Sequence, residues 1–342
     1  RHLAKNQITQ IDIGPHPDWE KLFSEVAKDY LNGADIDWKN LDALYQRKKV
    51  TLPTYPFQRQ RYWAETAQPV YGRKLWSVHP LLGEKQTRPD GEIDFFGQLQ
   101  LSAVPYLRDH RVFDSVVYPG AGYLEMLFAG ATIGLDQSSC QLSNVSIESA
   151  LGFSASKPVN TQVHLIPSDT GYETSVYSQA DGEGVWKCHA KGSVVIGEIS
   201  EASPLQNVEA LKARCGTKVI REDFYKSIQG TGIQYGEQFQ TLRDIYLGEK
   251  EAFAELQLSA SAKDYLAHPG LLDGCFQLSA VSVIQKNNDS AYLPVACDVV
   301  KFYAPLGEHV FAYWQEKEIT DTGMSGNITI YSPSGEVLVA IE

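Results

Sequence analysis

Two hydrophobic rhythms alternate along this chain, and the order in which they alternate occurs twice. Through Gly120, Ala121, Gly122, Tyr123, Leu124, Met126, Leu127, Phe128, Ala129 and Gly130, and on to Leu135, the apolar positions leave almost no polar face. A helix apolar all round is a buried one, and its many small residues imply backbone approaching closely on several sides. Pro119 stops the preceding segment and presets the first helical turn. Around this helix the period changes to two. Glu92 to Leu101, Cys140 to Phe153, Val159 to Ile166, Glu173 to Ser178 and Gly184 to Ile196 are rich in alternating Val, Ile, Phe, Tyr and Thr, with turns such as Asp181-Gly182 between them.

Ser200 to Gln206 lacks apolar periodicity and reads as a linker. The plan then starts again. A helical approach over Arg221 to Gln229 leads to a loop at Tyr235-Gly236, strands around Leu242 to Leu258, and a second Pro-Gly, Pro269-Gly270, opening an apolar helix. Strands follow at Tyr292 to Phe302, Val310 to Lys317 and Asn327 to Glu342, with Ser334-Gly335 as a hairpin tip. One buried helix with several long strands fits a sheet wrapped around that helix, the hot-dog architecture. Two copies make an internal duplication, so the predicted fold is an α+β double hot dog, which brings the two helix N-termini near one another.

The first 63 residues follow neither rhythm. Trp19, Leu22, Phe23, Val26, Ala27, Tyr30 and Leu31 recur at helical spacing, with Asp18 placed to cap, and such a helix cannot bury enough surface to fold alone. From Lys48 to Trp63 the chain is extended, Pro-punctuated, aromatic and basic, as suits a strap laid over another domain.

Composition narrows the function. The 342 residues are 43% hydrophobic and 21% charged, ordinary globular material with room for two cores or one large double one. No stretch reaches the roughly 18 uncharged apolar residues a membrane span needs, and Arg-His-Leu-Ala-Lys-Asn-Gln at the start lacks the layout of a signal peptide. Five scattered cysteines without a CxxC pair argue against a disulfide framework or a zinc site, and for a reducing, cytoplasmic compartment. A formal net charge of −12 disfavours nucleic acid and anionic membrane surfaces as partners. Without a Walker loop, a GxGxxG turn, a GxSxG elbow or an HExxH pair, an organic or metal cofactor is not expected.

Two places carry candidate chemistry. His110 lies nine residues before Pro119-Gly120, so the free N–H groups opening the apolar helix point where the imidazole points. A base that titrates near neutrality beside an oxyanion site suits proton abstraction next to a carbonyl, although taken alone such a histidine is more often a structural one. In His268-Pro269-Gly270-Leu271-Leu272-Asp273-Gly274-Cys275-Phe276-Gln277, Asp273 is ionisable within an otherwise apolar helix. Burial raises a carboxyl pKa by up to about 3–5 units, and a helix N-terminus opposes this by less than about one. Asp273 is therefore expected to hold its proton part of the time at neutral pH, with Gln277 on the same face to hydrogen-bond it. Taken alone, it also suits a helix cap. His79, His164, His189 and His268 lack companions in sequence and read as structural, with His268 open as a partner to a site residue.

These residues also carry a resemblance. His110, Asp114 and Pro119 have the spacing of the HxxxGxxxxP signature of the dehydratase domains of modular type I polyketide synthases, with Asp114 where Gly is usual. Asp273 and Gln277 match the family's DxxxQ. Tyr235-Gly236-Glu237-Gln238-Phe239-Gln240 resembles YGPxFQ, with Glu237 replacing Pro; His79-Pro80-Leu81-Leu82-Gly83 is similar to the HPLLG opening, and Leu293-Pro294-Val295 to the LPF strand of the pocket. LPTYPFQRQRYW resembles, nearly letter for letter, the linker after the acyltransferase in such synthases, and Ile13-Gly14-Pro15-His16-Pro17 the tail of that acyltransferase.

The resemblance implies domains at 1–75 (acyltransferase tail and linker), 76–197 (hot dog with His110), 198–215 (linker) and 216–342 (hot dog with Asp273). It implies a hydro-lyase that removes water, in syn fashion, from a 3-hydroxyacyl thioester on the phosphopantetheine of an acyl carrier protein. His110 would take the α-proton, the Gly120 N–H behind Pro119 would hold the thioester oxygen, Asp273 would protonate the leaving hydroxyl, and Tyr235 would hydrogen-bond that hydroxyl or Asp273. It also implies a homodimer beside other synthase domains. Cyclisation to a pyran, a double-bond shift or a silent spacer role stay open as alternatives. So do two roles for Asp114: facing the pocket and raising the pKa of His110, or capping its turn through backbone N–H groups.

Overall fold

In the computed structural model each apolar helix lies in a cradle of antiparallel strands, and the two cradles join edge to edge. Residues 18–39, 79–154, 157–180, 184–195, 199, 205–284, 293–320 and 323–342 are described. The strap at 48–63 and the segment 13–17 fall outside them. The chain divides into two units, Arg1–Trp63 and Ala64–Glu342.

In the first unit, helix α1 (Trp19–Leu31) starts at Asp18, whose side chain accepts from the Lys21 N–H at 3.3 Å. This is the expected cap. Leu22 and Val26 are buried, whereas Phe23, Tyr30 and Leu31 stay exposed.

Among the described residues, the second unit forms a 13-stranded sheet plus a small three-stranded one. Its N-terminal half runs β1 (Glu84–Thr87), β2 (Ile93–Leu99), β3 (His110–Val112), β4 (Ser115–Val116), helix α2 (Gly120–Leu135), β5 (Cys140–Ile147), β6 (Val159–Ser168), β7 (Gly171–Ala180) and β8 (Lys187–Val195). The C-terminal half runs α3 (Val208–Cys215), β9 (Thr217–Val219), α4 (Arg221–Gly230), β10 (Ile233–Tyr235), β11 (Leu242–Leu247), β12 (Glu251–Gln257), α5 (Pro269–Ile284), β13 (Ala296–Phe302), β14 (His309–Ile319), β15 (Met324–Tyr331) and β16 (Val337–Ile341).

The duplication is visible in strand order. The first half lays out β2-β6-β7-β8-β5 around α2, and the second lays out β12-β14-β15-β16-β13 around α5. In both, the strand before the helix takes one edge, the strand after it takes the other, and the remaining three fill the middle in chain order. β5 and β13, equivalent strands, pair antiparallel with Leu142 opposite Val300. This pairing fuses the halves about a pseudo-two-fold axis and removes an exposed edge from each.

Strand alternation divides the C-terminal half into two layers. Ala252, Ala254 and Leu256 of β12 face the main core, while Phe253 between them joins Tyr313, Tyr331 and Val337 on the other side, covered by Leu211 and Cys215 of α3. Part of the stretch expected to be inter-repeat linker is therefore this covering helix, N-capped by the Asn207 side chain on the Ala210 N–H at 3.1 Å. The strands expected around Leu242 to Leu258 form a hairpin of β11 and β12, turned where Lys250 adopts a φ of 57°. The expected strand at Tyr292 begins instead at Ala296.

Candidate active site

His110 is placed by a contact between the halves. It heads β3, a short strand, and β3 pairs with β10 so that His110 stands opposite Tyr235. Asp109 reinforces the join: its carbonyl accepts from the Gly236 N–H at 2.7 Å and its carboxylate from the Gln238 N–H at 3.0 Å. The imidazole is 4% exposed and packs against the rings of both Tyr235 and Phe239, which also stack on each other. Its Nδ1 lies 2.8 Å from the Val117 carbonyl oxygen. A carbonyl only accepts, so Nδ1 carries the proton and the Nε2 lone pair is left free to act as a base.

Four residues beyond Val116 the chain turns into α2. Pro119, in an extended conformation (φ −70°, ψ 148°), is the N-cap residue, and no side chain caps this end. The first N–H groups of a helix have no intrahelical acceptor, so they remain available to an anionic oxygen. Gly120 is dictated by contact: a Cβ there would fall 2.9 Å from Ile147 Cδ1 and 2.9 Å from Pro294 Cγ. Pro294 thus closes on the α2 terminus from the second half.

Asp273, also 4% exposed, is one turn into α5. Burial raises its carboxyl pKa above the ordinary range, against the opposing pull of His110 and of hydrogen bonds from Gln277 and Tyr235. Gln277 Nε2 donates to Asp273 Oδ2 and to the Phe239 carbonyl, each at 2.9 Å. The Tyr235 hydroxyl shares the Asp273 carboxyl, and burial pushes its own pKa upward too. His110, Tyr235, Gln277 and Asp273 are therefore one cluster built from both halves. They line a cavity of about 920 Å³ together with Gly120, Phe276 and Leu293-Pro294-Val295. Pro119 stays behind the lining and sets the helix start. A base with a free lone pair, a protonatable acid and a bare helix N-terminus around one cavity can remove a proton beside a carbonyl and protonate a leaving group.

Other expectations change. Asp114 is exposed, has a φ of 64°, and accepts from Gln234 Nε2 at 2.7 Å. The left-handed φ accounts for Gly being usual at this position and for Asp being tolerated. Asp114 neither lines the cavity nor holds backbone N–H groups of its turn; it ties β3 to β10 by a side-chain bond. Glu237 is exposed in a 3-10 turn (Glu237–Phe239). The four histidines all have partners: His79 meets Glu125 at 2.8 Å, His164 meets Glu92 at 3.2 Å, and His189 meets Ser178 at 2.7 Å. His268 Nδ1 accepts from the Gly270 N–H at 3.1 Å while Tyr106 and Tyr265 pack on the ring, and burial lowers its pKa to about 4. His268 is thus a neutral cap for α5. Asp109, Glu125 and Arg221, whose guanidinium binds the Gln240 and Leu242 carbonyls, were not singled out by sequence, because their partners, mostly backbone groups, are remote in the chain.

Comparison with known proteins agrees with this geometry. A family model described as polyketide synthase dehydratase domain matches residues 79–179, and one described as polyketide synthase dehydratase N-terminal domain matches 203–342. Polyketide synthase PksN of Bacillus subtilis (strain 168) is 26% identical over 95% of this chain, and polyketide synthase GfsB of Streptomyces halstedii is 32% identical over 75% of it. The chain spans only 6% and 5% of the length of those relatives. Among solved structures, the dehydratase domain from the CurJ module of curacin polyketide synthase superposes with a TM-score of 0.70 at 25% identity, covering 78% of this chain and 95% of that one. The CurK dehydratase gives 0.69 at 26% identity, covering 77% and 96%. CurK dehydratases carrying an Asp-to-Asn or a His-to-Phe substitution are described as inactive. Apart from β8, both hot dogs and the site residues His110, Tyr235, Asp273 and Gln277 fall within the ranges the family models match, and the chain belongs to the polyketide synthase dehydratase family.

Proposed function

We propose that this dehydratase removes water from a 3-hydroxyacyl thioester presented on the phosphopantetheine arm of an acyl carrier protein, giving the 2,3-enoyl thioester. His110 Nε2 takes the α-proton, and the Cα–H electron pair becomes the new double bond as the Cβ–O bond breaks. The departing hydroxyl takes the Asp273 proton and leaves as water. The Gly120 N–H holds the thioester oxygen as negative charge develops on it, Tyr235 and Gln277 hold the Asp273 carboxyl, and Pro119 fixes the helix start. The proton then held by His110 returns to Asp273 through solvent before the next turnover.

One observation carries this reading: an imidazole with its lone pair on Nε2 and a buried carboxyl with a raised pKa share one cavity at the mouth of a bare helix N-terminus. The chemistry requires both groups, because an α-proton beside a thioester is weakly acidic and hydroxide is a poor leaving group. The inactive Asp-to-Asn and His-to-Phe variants of the CurK dehydratase support the same pair. Residues 1–75 fit a tail and linker from a preceding acyltransferase, and 76–197 and 216–342 fit the two hot dogs flanking the 198–215 segment. The partners we propose are the carrier protein, neighbouring synthase domains and a second copy of this chain, in the cytoplasm and without a resident cofactor. Incubating the protein with a set of 3-hydroxyacyl thioesters and weighing the products tests the reading. Loss of one water from at least one member is expected, and recovery of every substrate intact would refute it.

A further inference from the structure

Glu125 is the one acidic or basic side chain in α2, and it has no exposed surface. Its carboxylate stands where three N–H groups converge: Leu266 N on Oε1 at 2.7 Å, Ala267 N on Oε2 at 2.7 Å, and His79 Nε2 on Oε1 at 2.8 Å. The Leu81 N–H donates to His79 Nδ1 at 3.2 Å, which leaves the ring proton on Nε2 and aims it at the carboxylate. Two of the three donors come from the other hot dog, and they are the last backbone amides before His268 and the start of α5.

We infer that Glu125 is the positioning residue that registers the α5 terminus, and with it the Asp273 carboxyl, against the Gly120 end of α2. Glu125 is about a turn and a half along α2 from Gly120, and Asp273 is about one turn along α5 from Pro269. The carboxylate therefore links the two helix starts by a path of a few bonds through rigid elements. A buried carboxylate is costly unless every oxygen is hydrogen-bonded, and here the bonds it makes are those that fix α5. Leu271, Leu272, Cys275 and Leu278 are fully buried and hold the body of α5 without it. Loss of the carboxylate frees the first turn, where Asp273 lies, while leaving His110 and Gly120 in place on their own half.

The inference rests on the roles proposed above, and it predicts a loss that depends on the leaving group. Departing hydroxide needs the Asp273 proton, whereas fluoride leaves as an anion and does not. The experiment compares wild type, Glu125→Gln and Glu125→Asp on a 3-hydroxyacyl pantetheine thioester and on its 3-fluoro counterpart, with amide hydrogen exchange over residues 266 and 267. Gln keeps the shape but turns an amide N–H toward a backbone N–H, and Asp keeps the charge but is one methylene too short. For Glu125→Gln, kcat on the hydroxy substrate is expected to fall by about 10²-fold, the size of loss that a displacement near 1 Å brings. Elimination of fluoride is expected to stay within about threefold, KM nearly constant, and exchange at 266 and 267 to quicken; Glu125→Asp should show the same selectivity more mildly. Equal loss on both substrates, or amides as protected as in wild type, would overturn the inference. Wild type that expels fluoride but never water would instead refute the dehydratase reading, and the exchange measurement would then decide on Glu125 by itself.

Discussion

Replacing Gln277 by Leu separates the tuning of Asp273 from its presence. The amide donates to Asp273 Oδ2 and to the Phe239 carbonyl, each at 2.9 Å and both buried. Leu leaves these two acceptors unpaired, at a cost of about 1–3 kcal/mol each. It also removes Gln277 Oε1, itself a buried acceptor without a partner, which returns a similar amount. The net destabilisation is then about 1–3 kcal/mol, or roughly 2–12 °C in Tm for a domain of this size. The effect on chemistry has a definite sign. The Gln277 bond favours the carboxylate and holds the Asp273 pKa down against burial, so its loss raises that pKa further. An acid that must be protonated to act then stays competent to higher pH, and the alkaline limb of kcat/KM moves upward even as the maximum falls. The assay is the pH profile of kcat/KM for both proteins on one 3-hydroxyacyl thioester, with Tm measured alongside. An alkaline limb that stays in place, or moves to lower pH, would refute the assignment of that limb to Asp273.

Asp114→Gly should leave the acid limb of kcat/KM where it is, because Asp114 is exposed and bound to Gln234 rather than turned toward His110; a fall of about one unit or more, the shift a nearby charge causes, would place it at the pocket. Stability should decline in mild acid through His268. Its pKa is lowered by burial from 6.5 to about 4, so the unfolded chain binds the proton first, and stability present above pH 6.5 is lost as pH falls toward 4. The gap is worth on the order of 3 kcal/mol, and a His268→Asn variant whose acid unfolding is as steep as that of wild type would contradict it. A thiol reagent should find Cys188 before Cys140, Cys215, Cys275 or Cys297, since only Cys188 is not buried; prior labelling of Cys275 in the folded protein would show that α5 is loosely held.

Much of this was legible in the sequence wherever a pattern is long. The two buried helices show as apolar runs behind Pro-Gly, and long strands show as alternation, so the duplicated double hot dog follows from letters alone. His110, Asp273, Gln277 and Tyr235 could be named because ordered motifs surround them. What escaped is short or remote. β3 and β10 have three residues each, too few for a period, yet their pairing brings Tyr235 to His110. Asp114 and its partner Gln234 are 120 residues apart. Glu125 reads as a lone polar letter in an apolar helix, since its partners are backbone amides 141 and 142 residues away and peptide groups leave no mark in a sequence. The covering role of α3 was hidden by the low apolar content of a helix that buries only Leu211 and Cys215.

The central claim is that His110 and Asp273 act in one step as base and acid, and a double-mutant cycle on kcat tests it most directly. His110→Ala and Asp273→Asn, each confirmed as folded by circular dichroism, should each lower water loss from a 3-hydroxyacyl thioester by about 10²–10⁴-fold. The double variant should be scarcely slower than the worse single one, because groups that act as a unit are strongly non-additive. Losses that multiply, or a single variant that keeps most of its rate, would contradict the account.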